Sequence, residues 1–226
     1  MKRILTIAAV NLAAVGAWAQ LTTNTYNLTS TGTAAIPDGN LVGLMETFNV
    51  SGLGGDVSNV QLSLDITGGF NGDLYAYLTG PGGQMAVLLN RVGVSAINPT
   101  GYGDPGLSVT FDDAAPNGNI HTYGNTPPAI GSLWAPDGRT INPQASASEI
   151  GNDTPTANLN VFNGLNGNNA NGSWTLYVAD VVGGDGAANL NLNNTFLTIT
   201  TVPEPQTMAL AIGGGLLLLA ARFRRR

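Results

Sequence analysis

At 226 residues the chain has room for a real core, and its 31 glycines and 12 prolines punctuate it too often for long helices. It has no cysteine, which excludes disulfides, thiolate metal sites and thiol chemistry. Between Gln20 and Val202 only Arg91 and Arg139 stand against thirteen acidic residues, and the resulting net charge of −11 argues against binding phosphate backbones or anionic lipid while favouring divalent cations.

Met1–Ala19 opens with Lys2 and Arg3, continues through the apolar run Ile4–Val15 and closes on Ala17-Trp18-Ala19. That is the layout of a secretory signal helix cut between Ala19 and Gln20, too short to span a bilayer comfortably. A first strand follows near Asn24–Leu28, then a loop through Pro37-Asp38-Gly39 and a strand over Leu44–Val50. The best-patterned stretch is Val57–Leu89. Val60, Leu62, Leu64 and Ile66 alternate with Gln61, Ser63 and Asp65; past Gly68–Gly72, Leu74, Ala76 and Leu78 alternate with Tyr75 and Tyr77. Past Gly80-Pro81-Gly82-Gly83 comes a third apolar run, Met85–Leu89, strand-like to about Val94. The pattern predicts an antiparallel three-strand meander with one apolar face.

Leu107, Val109 and Phe111 predict a strand that ends on Asp112-Asp113, followed by a long aperiodic stretch, Ala114–Ala157, held to the body by Trp134 and Ile141. Leu159, Val161 and Phe162 suggest a short strand. Trp174, Leu176 and Val178 form the core face of a strand ending at Asp180, and Gly183–Gly186 turn the chain. The last strand runs from Leu190 to Ile199 with a bulge at Asn193-Asn194. Eight or nine short strands without a helix signal predict an all-β fold over 20–201, an antiparallel β-sandwich of jelly-roll type. Val202-Pro203-Glu204-Pro205 then leads into the apolar run Met208–Ala221 and the terminal Arg222-Phe223-Arg224-Arg225-Arg226. A hydrophobic helix capped by arginines is a stop-transfer signal, and fourteen residues at about 1.5 Å each make it a marginal span, suited to a temporary anchor.

Pro203, Glu204 and Pro205, the hydrophobic segment and the arginine cluster, in that order at the chain end, resemble the PEP-CTERM sorting signal of Gram-negative bacteria. The resemblance implies handling by signal peptidase and exosortase, transient anchoring in the inner membrane, and release to the cell surface or beyond, commonly alongside exopolysaccharide. The body resembles the P/Homo B domain, the β-sandwich that follows the catalytic domain of kexin-type proprotein convertases. The resemblance covers roughly Glu46–Thr200. It rests on Leu64-Asp65-Ile66-Thr67, Gly72-Asp73-Leu74, Leu78–Gly83, Phe111–Ala114, Phe162-Asn163-Gly164, Gly172–Asp180 and Gly184-Asp185-Gly186. Gly68 stands where many members carry His, and Thr195 where the final strand usually has Trp.

Three sets of side chains are candidates for chemistry. Asp73, Asp112, Asp113, Asp180 and Asp185 sit at strand ends or turns, where carboxylates and backbone oxygens can enclose Ca²⁺; Asp also favours turns because it bonds its own backbone. The resemblance adds that some P-domain relatives bind calcium. Tyr75, Tyr77 and Trp134 are candidates for stacking on a glycan, against the alternative of packing on a neighbouring loop or sheet. His121, the single histidine, is the one imidazole a catalytic triad could use, but it lies in a Pro/Gly/Asn loop with no Gly-x-Ser-x-Gly elbow, and reads as a solvated residue. No catalytic residue is therefore expected. The expectation is an exported, exosortase-sorted, non-enzymatic β-sandwich with a structural or adhesive role in the extracellular matrix. Its alternatives are a carbohydrate-binding module for exopolysaccharide and an accessory domain docking a separate secreted serine protease. No nucleic-acid partner is expected, and membrane contact only through 208–221 before processing.

Overall fold

Period-two patterning places most of the strands, and tertiary packing decides which sheet each one joins. The computed structural model describes residues 20–124 and 126–203. The signal segment through Ala19 lies outside the described residues, as do Glu204, Pro205 and the helix expected over 208–221. In chain order the elements are β1 (Thr22–Asn27), β2 (Thr33–Ile36), β3 (Leu44–Val50), β4 (Asp56–Thr67), β5 (Leu74–Thr79), β6 (Met85–Asn90) and β7 (Leu107–Phe111). They continue with β8 (Ser132–Trp134), α1 (Ala147–Asn152), α2 (Gly167–Ala170), β9 (Gly172–Asp180), β10 (Ala188–Asn191) and β11 (Phe196–Val202). Among the described residues these eleven strands form a seven-stranded and a four-stranded sheet, an all-β sandwich.

The larger sheet is built around β4. On one side it pairs with β11 and, further along, with β10; on the other it pairs with β7. Between Phe196, opposite Ser63, and Leu190, opposite Ile66, the β10–β11 ribbon spends six residues against three on β4. The single last strand expected over Leu190–Ile199 is therefore two strands, and in place of a bulge at Asn193-Asn194 a turn over 192–195 absorbs the excess, with Asp65 accepting from the Asn191 and Asn194 side-chain amides at 3.0 and 2.8 Å. The register shift on β11 lies at Thr200–Thr201. The smaller sheet runs β3-β9-β5-β6. Leu62, Leu64, Ile66, Val109, Phe111, Leu197 and Ile199 from one sheet and Phe48, Leu74, Leu78, Trp174, Leu176 and Val178 from the other are buried in the shared core. Burial on that scale, at about 25 cal/mol per Å² of apolar surface, is what offsets the ordering of so many loops. Trp174 lies at its centre, its indole N–H donating to the Ala170 carbonyl at 2.9 Å and its ring 4.7 Å from that of Phe162.

Several expectations are corrected. The stretch Val57–Leu89 is not one meander: β4 belongs to the larger sheet and β5 and β6 to the smaller, so Gly68–Asp73 carries the chain across the sandwich. Alternation marks a buried face, and both sheets offer one. One pair, β7 with β8, is parallel. Leu159–Phe162 forms a 3₁₀ turn rather than a strand, and β6 ends at Asn90. Ala114–Ala157 contains a 3₁₀ turn, β8 and α1, the last started by a capping box in which Ser146 and Glu149 bond each other's backbone N–H. Among the described residues no helix is long and apolar enough to cross a membrane.

Candidate metal centre

Four connections meet at one end of the sandwich: β2–β3, β4–β5, β6–β7 and β9–β10. Backbone bonds tie them. Asn40 N–H donates to the Asp180 carbonyl and Val181 N–H to the Asp73 carbonyl, each at 2.8 Å, and Gly72 N–H donates to the Tyr102 carbonyl at 2.8 Å. Asp180 closes β9 opposite Leu74, and Asp73 closes the 3₁₀ turn Asn71–Asp73 beside it. Asp185 sits in the β9–β10 turn and accepts from Phe70 N–H at 2.6 Å. Asp38, in the β2–β3 loop, accepts from Gly184 N–H at 3.2 Å. The approach of those two loops needs glycine: Gly39 has φ +61°, and a Cβ there would lie 2.9 Å from the Gly183 Cα.

The outcome is a trio. One carboxylate oxygen from each of Asp38, Asp180 and Asp185 lies within 4.8 Å of the other two. Asp180 is fully buried, and its Oδ2 has no hydrogen-bond partner among the described residues, nor has the Oδ1 of Asp185. Orphaned buried carboxylate oxygens are costly and call for a ligand. Burial, then the charge of Asp185, with smaller contributions from Asp38 and Asp73, pushes the Asp180 carboxyl up to about 7, against the Val182 N–H that favours its ionised form. Burial and the charge of Asp185 also raise Asp73, opposed by Arg91, whose Nη2 is 3.6 Å from its Oδ1. An all-oxygen anionic set with this spacing suits a hard divalent cation, since two oxygens bound to one Ca²⁺ at about 2.3–2.6 Å lie up to about 5 Å apart.

The five aspartates picked out in the sequence therefore divide. Asp73, Asp180 and Asp185 come together at this end, joined by Asp38, which was read only as part of a loop. Asp112 and Asp113 lie at the far end of β7. There Asp112 accepts from Gln61 Nε2 and from Ala114 N–H, and Asp113 accepts from the backbone N–H groups of Leu159 and Asn160, capping the 3₁₀ turn they begin. Burial nonetheless raises the Asp113 carboxyl, those two N–H groups opposing it.

The aromatic candidates divide as well. Tyr75 and Tyr77 project from the outer face of the smaller sheet, where Tyr77 stacks on Tyr177 with ring centroids 4.6 Å apart and Tyr75 meets both edge-on. Trp134 lies in the larger sheet, its ring in a T-shaped contact with that of Tyr123. His121 is corrected outright: at 3 % exposure it is buried, with Nδ1 2.8 Å from Asp137 Oδ2 and Nε2 3.0 Å from the Val94 carbonyl oxygen. Asp137 also takes the Asn90 N–H and the Arg139 guanidinium, and Asn90 Nδ2 donates to the Ile141 carbonyl. The long β7–β9 connection is thus pinned by a buried polar network more than by Trp134.

No protein-family model and no curated protein sequence matches the chain. Among solved structures it is similar in shape to the serine protease of Aeromonas sobria (16% identity, TM-score 0.40), with 80% of this chain and 27% of that one covered. It is likewise similar to a chain from the complex of that protease with the chaperone ORF2 (14% identity, TM-score 0.40), covering 82% and 28%. The chain spans under a third of the length of either.

Proposed function

We propose that this protein is an exported, non-catalytic β-sandwich that works outside the cell as a structural or adhesive component and is rigidified at one end by calcium. The carrying observation is the buried Asp180 carboxylate, which has an unpartnered oxygen and lies in the trio with Asp38 and Asp185. Asp38, Asp180 and Asp185 would hold the ion, with Asp73 adding negative potential beside them. Its chemistry there is charge neutralisation and the joining of the β2–β3 loop to the end of β9 and the turn that follows it.

Export and sorting are supported by the Lys2-Arg3 start, the Ala19–Gln20 junction and the Pro203-Glu204-Pro205 tail with its arginines. The non-catalytic reading is supported by His121, whose two ring nitrogens are both engaged, so that this imidazole is not free to serve as the base of a triad. A secreted protease remains the competing partner, supported by the P/Homo B resemblance alone. Thermal unfolding in EDTA and in excess Ca²⁺ tests the calcium reading: a higher Tm in Ca²⁺ is expected, and an unchanged one removes it. Fractionation of the native host tests the sorting reading, with the protein expected outside the cell and a chain lacking Pro203–Arg226 mis-sorted.

A further inference from the structure

Beside the trio the surface opens into a cleft of about 360 Å³, at the small end of ligand pockets. The same loops supply its walls, among them Phe70, Asp73, Arg91, Thr100, Gly183 and Asp185. Asp185 is therefore shared between cleft and trio, and its Oδ1, like the Oδ2 of the fully buried Asp180, is without a hydrogen-bond partner among the described residues. Phe70 is 42 % exposed at the cleft although Asp185 fixes its backbone N–H. Arg91 has φ +51°, left-handed backbone that is unfavourable for a side-chain-bearing residue and tends to occur at functional positions. Its Nε donates to the Gly72 carbonyl at 3.2 Å and its Nη2 faces Asp73, contacts that leave N–H groups over for a ligand.

We propose that this cleft binds a neutral saccharide, with adjacent ring hydroxyls toward Arg91 and the cation held by the trio, and the apolar face of the pyranose against Phe70. The proposal rests on the calcium reading above. Charge selects a neutral sugar over an acidic one. Four aspartates against Arg91 leave a formal −3, and a divalent cation still leaves −1, which repels a uronate. An exposed ring among a few convergent polar groups in a concave site is the composition a sugar needs. The tyrosines of the smaller sheet are poorer platforms, because Tyr77 and Tyr177 already turn their faces to each other.

Isothermal titration of the purified full chain with methyl mannoside, methyl galactoside and cellobiose, in Ca²⁺ and in EDTA, tests this directly. At least one sugar is expected to bind in Ca²⁺, about tenfold or more weaker in EDTA, and Phe70→Ala should weaken it about five- to twentyfold while keeping its Ca²⁺ affinity within about twofold. Calcium binding with no saturable sugar overturns the saccharide proposal and leaves the calcium site intact. Sugar binding indifferent to EDTA or to Phe70→Ala overturns it too, as does glucuronate or a lysine-rich peptide binding where the neutral sugars do not. No calcium binding at all removes the reading beneath it.

Discussion

Replacing Asp180 by asparagine keeps the shape of the side chain and removes its charge from the acid end. In the parent, folding carries this carboxyl from 3.8 up to about 7, chiefly by burial and the charge of Asp185. A carboxyl whose folded value is raised stabilises the folded state while protonated; that contribution is complete below about pH 4 and is lost as pH rises through about 7. The full difference corresponds to at most about 4 kcal/mol, and an effective interior dielectric well above that of dry protein brings it to roughly 1–2 kcal/mol. In a domain of this size 1 kcal/mol moves Tm by about 2–4 °C, so metal-free Asp180→Asn should melt about 3–6 °C above the parent at about pH 8 and level with it at about pH 4. In excess Ca²⁺ the order reverses, because the parent gains stability from the ion and the variant has lost a ligand. Differential scanning calorimetry across pH, in EDTA and in Ca²⁺, reads both effects. A variant that melts level with or below the parent in EDTA at alkaline pH, or that gains as much from calcium, refutes the argument.

Asp137→Ala removes the acceptor shared by His121, Asn90 and Arg139, all of them buried. Leaving those donors unpaired should cost about 3–5 kcal/mol, seen as a lower denaturation midpoint and faster proteolysis within Ala114–Ala157. Trp174→Ala empties the core centre and should cost about 3–5 kcal/mol, with urea denaturation as the check and a loss well under 1 kcal/mol as the contradicting result.

Where side chains alternate between core and solvent, the sequence was readable to the residue. Leu44–Val50 and the end of β9 at Asp180 stand where expected, and so does Trp174 in the core. Alternation says nothing about which of two sheets will bury a face, and for that reason the crossing between β4 and β5 was invisible. Thr33–Ile36 is too short to carry a period. The six-residue α1 has one local signal, Ser146 three residues ahead of Glu149, easily lost among prolines and glycines. The metal candidates show the same limit. Asp180 and Asp185 are close in sequence, but Asp38 joins them only because Gly39 packs on Gly183, a contact that no spacing along the chain encodes. His121 looked solvated because its neighbours are loop residues, and its burial comes from Val94 and Asp137 on other segments.

The most direct measurement is calorimetric titration of Ca²⁺ into the EDTA-stripped protein and its Asp38→Ala and Asp112→Ala variants at mildly alkaline pH. The trio account predicts one saturable site in the parent, unchanged in Asp112→Ala and weakened about tenfold or more in Asp38→Ala. A parent that takes up no calcium, or an Asp38→Ala variant that binds as the parent does, would contradict it.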